Sequence, residues 1–204
     1  MEVNNKEMYH YHHSHLYKDI WKPGNEFIVD DNFETSFLNI LKYYSSAVTT
    51  ITGNKNAFNR TIQRYLEENQ DKETYIMLLK EARRIISGAN MFTREMALEE
   101  VRKQKYPELP SRKHSIWLCE KKGLDFWANQ LVREQQSKLD LYKVLVTGNL
   151  FKSSDSFLPE DYYTYENMLK SADGYWNPKF ENEEQEEKAE YLFQGKVKIL
   201  EKVK

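Results

Sequence analysis

Three groups of residues have the types and spacing to do chemistry. The first is a lone carboxylate, Glu190, placed where the acidic run Glu181 to Glu187 gives way to an alternating segment. Tyr191, Phe193, Val197 and Ile199 fall on one parity, and Glu190, Gln194, Lys196 and Lys198 on the other, which predicts a half-buried strand over 189–203. Glu190 then leaves that strand opposite the apolar stripe, at a loop-to-strand junction where a scaffold can hold a carboxylate over a cleft. The second group is His10, His12, His13 and His15. On a strand, Met8, His10 and His12 share one face, so the two imidazoles point together. An i, i+2 pair can chelate, but a catalytic zinc wants a third protein ligand and the chain has no HExxH or CxxC, so no metal is expected. The third group is the nearly continuous apolar run Ser115-Ile116-Trp117-Leu118-Cys119, read as a strand buried on both faces, with Trp127 on the helix that follows. Arg112, Lys113 and His114 precede that strand and read as solvated. There is no GxSxG elbow, Walker loop or dinucleotide glycine pattern.

The elements that must position these groups alternate between classes. An aromatic strand over 8–13 is followed by the turn Pro23-Gly24-Asn25 and a short strand over 26–30. From 33 to 106 the pattern is helical. Tyr75, Leu78, Leu79, Ala82, Ile85 and Ile86 recur at helical spacing, with Asp71 as N-cap and Gly88 as a stop. Flanking helices are expected over 58–68, after a loop at 52–56, and over 93–105, ending before Pro107. Then come the 115–119 strand, a helix with Leu124, Trp127, Ala128 and Leu131 on one face, and a strand over 141–147 with Tyr142, Val144 and Val146 on one side. A long loop over 148–189 leads to the last strand. This order is α+β, and it reads as a single domain, 1–204, carrying a helical block at 33–106.

Composition narrows the function classes. Thirty basic residues against 32 acidic ones give a formal charge of -2, so no global field draws the chain to nucleic acid or anionic lipid. The single cysteine, Cys119, excludes an internal disulfide and reads as a small buried hydrophobe in a reducing compartment. No apolar run approaches the roughly 18 residues of a membrane span, and the polar N-terminus lacks a signal-peptide core, so a cytoplasmic protein without a membrane partner is expected.

Taken together, three pieces resemble the His-Tyr-Glu branch of the ADP-ribosyltransferase superfamily, to which the poly-ADP-ribose polymerases and diphtheria toxin belong. Tyr9-His10-Tyr11-His12 is similar to that branch's first-strand motif. Ser115 to Cys119 resembles its Gly, apolar, Tyr, apolar, Ala strand, with Trp127 as the aromatic on the next helix. Glu190-Tyr191-Leu192-Phe193 resembles the opening of its catalytic strand. Order and spacing agree, including a helical block between the first two pieces. Tyr11 stands where the family has glycine, and Trp117 where it has tyrosine.

The resemblance implies a split β-sheet core and a glycosyltransferase activity, mono-ADP-ribosylation, that consumes NAD as substrate, releases nicotinamide and needs no metal. His10 would bond a ribose of NAD, with Tyr11, His12 and Ser115 beside it. Trp117 would stack on the nicotinamide, and Trp127 would be a second wall. Glu190 would stabilise the positive charge that develops on the sugar. The acceptor would be a protein or a nucleic acid. Lys188, two residues before Glu190, disfavours arginine. Two alternatives stand beside this one, with metal-dependent hydrolysis at the histidines as a third class. Tyr11 suits a catalytically inactive relative, and the aromatics at 162–176 with Arg60, Arg83, Arg84, Arg102 and Lys103 suit a nucleic-acid or protein interaction module.

Overall fold

Strand alternation and helix caps in the chain resolve, in a computed structural model, into an α+β fold built on one antiparallel sheet. The structure describes residues 1–13, 20–35, 39–43, 71–135, 139–160 and 163–204. The expected helix at 58–68, the loop at 52–56, His15, Arg60 and Tyr162 lie outside the described residues.

Five strands, β1 (Glu2–His13), β2 (Glu26–Val29), β3 (Ile116–Leu118), β4 (Leu139–Ser154) and β5 (Ala189–Lys202), form the sheet. The order is β1-β4-β5-β2, and β3 also pairs with β5. One edge of β5 is thus shared. Tyr191 to Phe193 face β3 and Gly195 to Lys198 face β2. At its far end β3 returns to β1, because Tyr9 and Cys119 exchange backbone hydrogen bonds of 2.9 Å. The path β1-β4-β5-β3 therefore closes on itself at this rim.

The two faces of β5 seed two cores. Tyr191, Phe193, Val197 and Ile199 join Met8, Ile116, Leu118, Val144, Val146 and Leu150 on the inner face. On the outer face Leu192 and Phe151 meet Leu98, Val101, Ala172, Tyr175 and Trp176 from the helices. Gly148 and Gly195 sit opposite each other at φ +146° and +141°, and a Cβ on either would lie 2.5 Å from a carbonyl oxygen of the partner strand. Only glycine lets β4 and β5 approach this closely.

Helix α1 (Lys72–Lys105) begins at Asp71, whose carboxylate accepts the Thr74 N–H at 2.9 Å. It runs unbroken for 34 residues, so the expected stop at Gly88 and a separate helix from 93 merge into one. A mid-helix glycine costs about 1 kcal/mol against alanine. Burial of Ala97, Leu98 and Val101 in the same helix outweighs that. Helix α2 (Leu124–Gln135) follows β3, as expected. The segment expected as a long loop at 148–189 is largely ordered. β4 continues to Ser154, α3 (Tyr165–Trp176) is capped by Thr164, and α4 (Glu183–Glu187) is capped by Asn182. Glycine and polar residues in α3 hide the spacing of Met168, Ala172, Tyr175 and Trp176, its buried face. Among the described residues no helix is long and apolar enough to cross a membrane.

Candidate functional site

On the outer face, four side chains from four elements meet around one guanidinium. Arg112 belongs to the short 3-10 turn Arg112–His114, which Ser111 caps by accepting the Lys113 N–H. Its Nε and Nη2 donate to the two carboxylate oxygens of Glu95 on α1, at 2.7 and 3.0 Å. Its Nη1 donates to Glu190 Oε1 and to the hydroxyl of Tyr175 at the end of α3. That hydroxyl in turn donates to the same Glu190 oxygen. Both donors converge on Oε1, and Oε2 takes no part in either bond. The Tyr175 and Trp117 rings flank the guanidinium at 4.8 and 5.5 Å from its carbon.

This cluster lies inside the protein. Arg112 and Glu190 are each 4 % exposed and Glu95 is 2 %. The expectation of a solvated Arg112 is therefore overturned. The fork of a guanidinium can be satisfied from several sides at once, so it tolerates burial where an ammonium would not. Burial pushes the Arg112 pKa down, but Glu190 and Glu95 more than reverse that and hold it well above its ordinary value. Burial first, and Glu190 after it, push Tyr175 well above the usual phenol range despite Arg112.

A second layer fixes the turn. Ser111 Oγ donates to Glu99 Oε2 at 2.9 Å, and Arg102 clasps Glu99 through Nε and Nη2, both at 3.0 Å. Burial raises the Glu99 pKa, yet the Arg102 and Ser111 bonds leave it lowered overall. Arg102 also donates to the Pro107 and Leu109 carbonyls, which ties the end of α1 to the segment leading to Arg112. The phasing of Glu95, Glu99 and Arg102 at i, i+4 and i+7 puts all three on one helical face. Two acids on the face that carries Leu98 were the sequence signal for this centre.

Trp117 and Glu190 stand on the same outer face. Trp117 pairs with Leu192, two residues from Glu190, and paired residues share a face. Ser115, on the Trp117 parity, is fully buried, and its Oγ has no hydrogen-bond partner among the described residues. Trp127 reaches the start of β5 from α2, its Nε1 donating to the Ala189 carbonyl at 2.9 Å.

His10 and His12 belong to the other face. They share β1's Met8 side, and Met8 lies in the inner core with Tyr191 and Phe193. Their rings stack on Trp21, with centroids 4.2 and 4.9 Å away. His10 Nδ1 lies 2.8 Å from the Trp117 carbonyl. A carbonyl only accepts, so Nδ1 carries the proton. The expected histidine pairing is present, but Trp21, missed as a partner, covers it. Tyr11 points away from them, its hydroxyl donating to the Leu124 carbonyl at 2.9 Å, and burial pushes its pKa up to about 12. Among the described residues no group of three His, Cys, Asp or Glu could hold a metal. Cys119 is buried, which pushes its thiol up to about 12. Tyr175 and Trp176, expected as surfaces for stacking bases, are core residues at 0 and 2 % exposure.

Fold and site thus define an α+β chain with a buried arginine–carboxylate centre on the outer face of an antiparallel sheet. Over residues 8–204 the chain matches the family described as "Protein of unknown function (DUF2441)", and it belongs to that family. No curated protein matches it.

Proposed function

We propose that the chain is an NAD-consuming ADP-ribosyltransferase with an ADP-ribosyltransferase-like core, in which Glu190 is the carboxylate that acts on the ribose. One observation carries this reading. Glu190 is held rigidly through one oxygen by Arg112 and Tyr175, on the same face as Trp117 of the neighbouring strand, while Oε2 takes no part in those bonds. Positive charge grows on the nicotinamide ribose as the glycosidic bond breaks, and a fixed carboxylate stabilises it without reorganising. Trp117 supplies a ring for the nicotinamide, and the orphaned Ser115 hydroxyl on its parity supplies a polar atom for the amide. His10 serves here as a positioning residue that grips the Trp117 carbonyl from β1, in place of the direct ribose contact inferred from the sequence.

One observation favours a second reading, a relative that keeps the sheet without turning over NAD. Glu190 is buried and already accepts two hydrogen bonds, and His10 stands on the opposite face. Titration calorimetry with NAD separates the two. The transferase reading expects binding by the wild type and a loss of about tenfold or more in Trp117→Ala, since ring stacking contributes on the order of 1–3 kcal/mol. Absence of NAD binding by the folded wild type would leave the second reading.

A further inference from the structure

Resting on that reading, we propose that Asp155 is the general base that takes the proton from the acceptor. The placement follows from the register of β4 and β5. Ser153 pairs directly with Glu190 and Ser154 with Ala189, so the chain leaves β4 for the turn at Asp155 right beside the start of β5. Its backbone N–H donates to the Lys188 carbonyl at 3.1 Å, which fixes the 3-10 turn Asp155–Phe157 against the start of β5. Glu190 is buried, whereas Asp155 is half-buried, which leaves Asp155 open to an acceptor that arrives from solvent.

Two carboxyls, one on β5 and one in the turn that follows β4, meet different surroundings. Glu190 accepts from Arg112 and Tyr175. Asp155 is pushed above its ordinary value by burial first and by the Glu190 charge second; Arg94 from α1, Lys188 ahead of β5, and Arg112 only partly offset this. In glycosyl chemistry two such carboxyls divide the labour, one stabilising charge and the other moving a proton. With water as the acceptor, the bond from the ribose carbon to nicotinamide breaks and its electron pair stays on the pyridine nitrogen. The water oxygen bonds to that carbon, and its proton passes to Asp155. The products are ADP-ribose, nicotinamide and one proton.

The test is nicotinamide release from NAD, with water as acceptor, measured against pH for the wild type, Asp155→Asn and Asp155→Glu, with NAD affinity measured alongside. A base works only when unprotonated, so wild-type turnover should rise with pH through the raised Asp155 value. Asp155→Asn should cut turnover roughly 100- to 10,000-fold with NAD affinity kept and the rising limb lost. Asp155→Glu should restore part of the turnover and a displaced limb, which a purely structural role would not do. Wild-type release with Asp155→Asn unchanged in rate and pH profile would overturn the role of Asp155 and leave that of Glu190. Wild-type protein that neither binds NAD nor releases nicotinamide at any pH would overturn both.

Discussion

Replacing Arg112 by methionine removes the cation from the centre while keeping much of its length. Four hydrogen bonds donated by Arg112 go at once, two to Glu95 and one each to Glu190 and Tyr175. Glu190 retains the Tyr175 hydroxyl, but the Glu95 side chain, 1 % exposed, is left without its cation. Removing one partner of a buried pair costs about 3–5 kcal/mol, because the other charge stays desolvated. Such a loss is a large part of a domain's total of about 5–15 kcal/mol. It should appear as a fall of roughly 6–20 °C in Tm for a chain of this size. Urea unfolding followed by circular dichroism should show a lower midpoint at unchanged m. Glu95→Gln placed on top of Arg112→Met should recover part of the loss. A deficit under about 1 kcal/mol, the size of an exposed pair, would refute a buried centre.

Other perturbations probe the scaffold and the second carboxyl. Gly195→Ala forces a Cβ to within 2.5 Å of the Thr147 carbonyl at a positive φ, and should cost about 1–3 kcal/mol in chemical denaturation. Trp21→Ala removes the ring stacked on His10 and His12 and should cost about 3–5 kcal/mol by the same measurement; a neutral effect would mean that the stack contributes nothing. Asp155, raised chiefly by burial, favours the fold fully below its unfolded pKa and loses that contribution as pH rises through the folded value. Asp155→Asn should therefore raise Tm at neutral pH and flatten the pH dependence, and an unchanged slope would contradict the shift.

Much of the sheet was legible because period-2 alternation survives in single strands. Tyr142, Val144 and Val146 are buried on one side as expected, and Tyr191, Phe193, Val197 and Ile199 fill the inner core. The Asp71 cap marked the start of α1. Its length was hidden by Gly88, whose local preference yields to packing further along the same helix. The long reach of β4 past Thr147 was hidden because Gly148 is a weak strand former on its own, and only the pairing with Gly195 shows why it belongs there. In the site, Glu190 could be singled out from its junction with a strand, but its partners could not. Glu95, Arg112 and Tyr175 are 17, 78 and 63 residues apart in their contacts with one another and with Glu190, and nothing local pairs them. Strand parity alone could not say that His10 and Glu190 stand on opposite faces, because that depends on the pairing of β1 with β4 and of β4 with β5.

The most direct measurement is nicotinamide release from NAD by the wild type and by Glu190→Gln, each shown to be folded by circular dichroism. Glutamine keeps an oxygen for Arg112 and Tyr175 to donate to but cannot carry the negative charge. Release by the wild type, with a drop of about 100-fold or more in Glu190→Gln at unchanged NAD affinity, is the expected result. Equal release by the two folded proteins would contradict a catalytic Glu190.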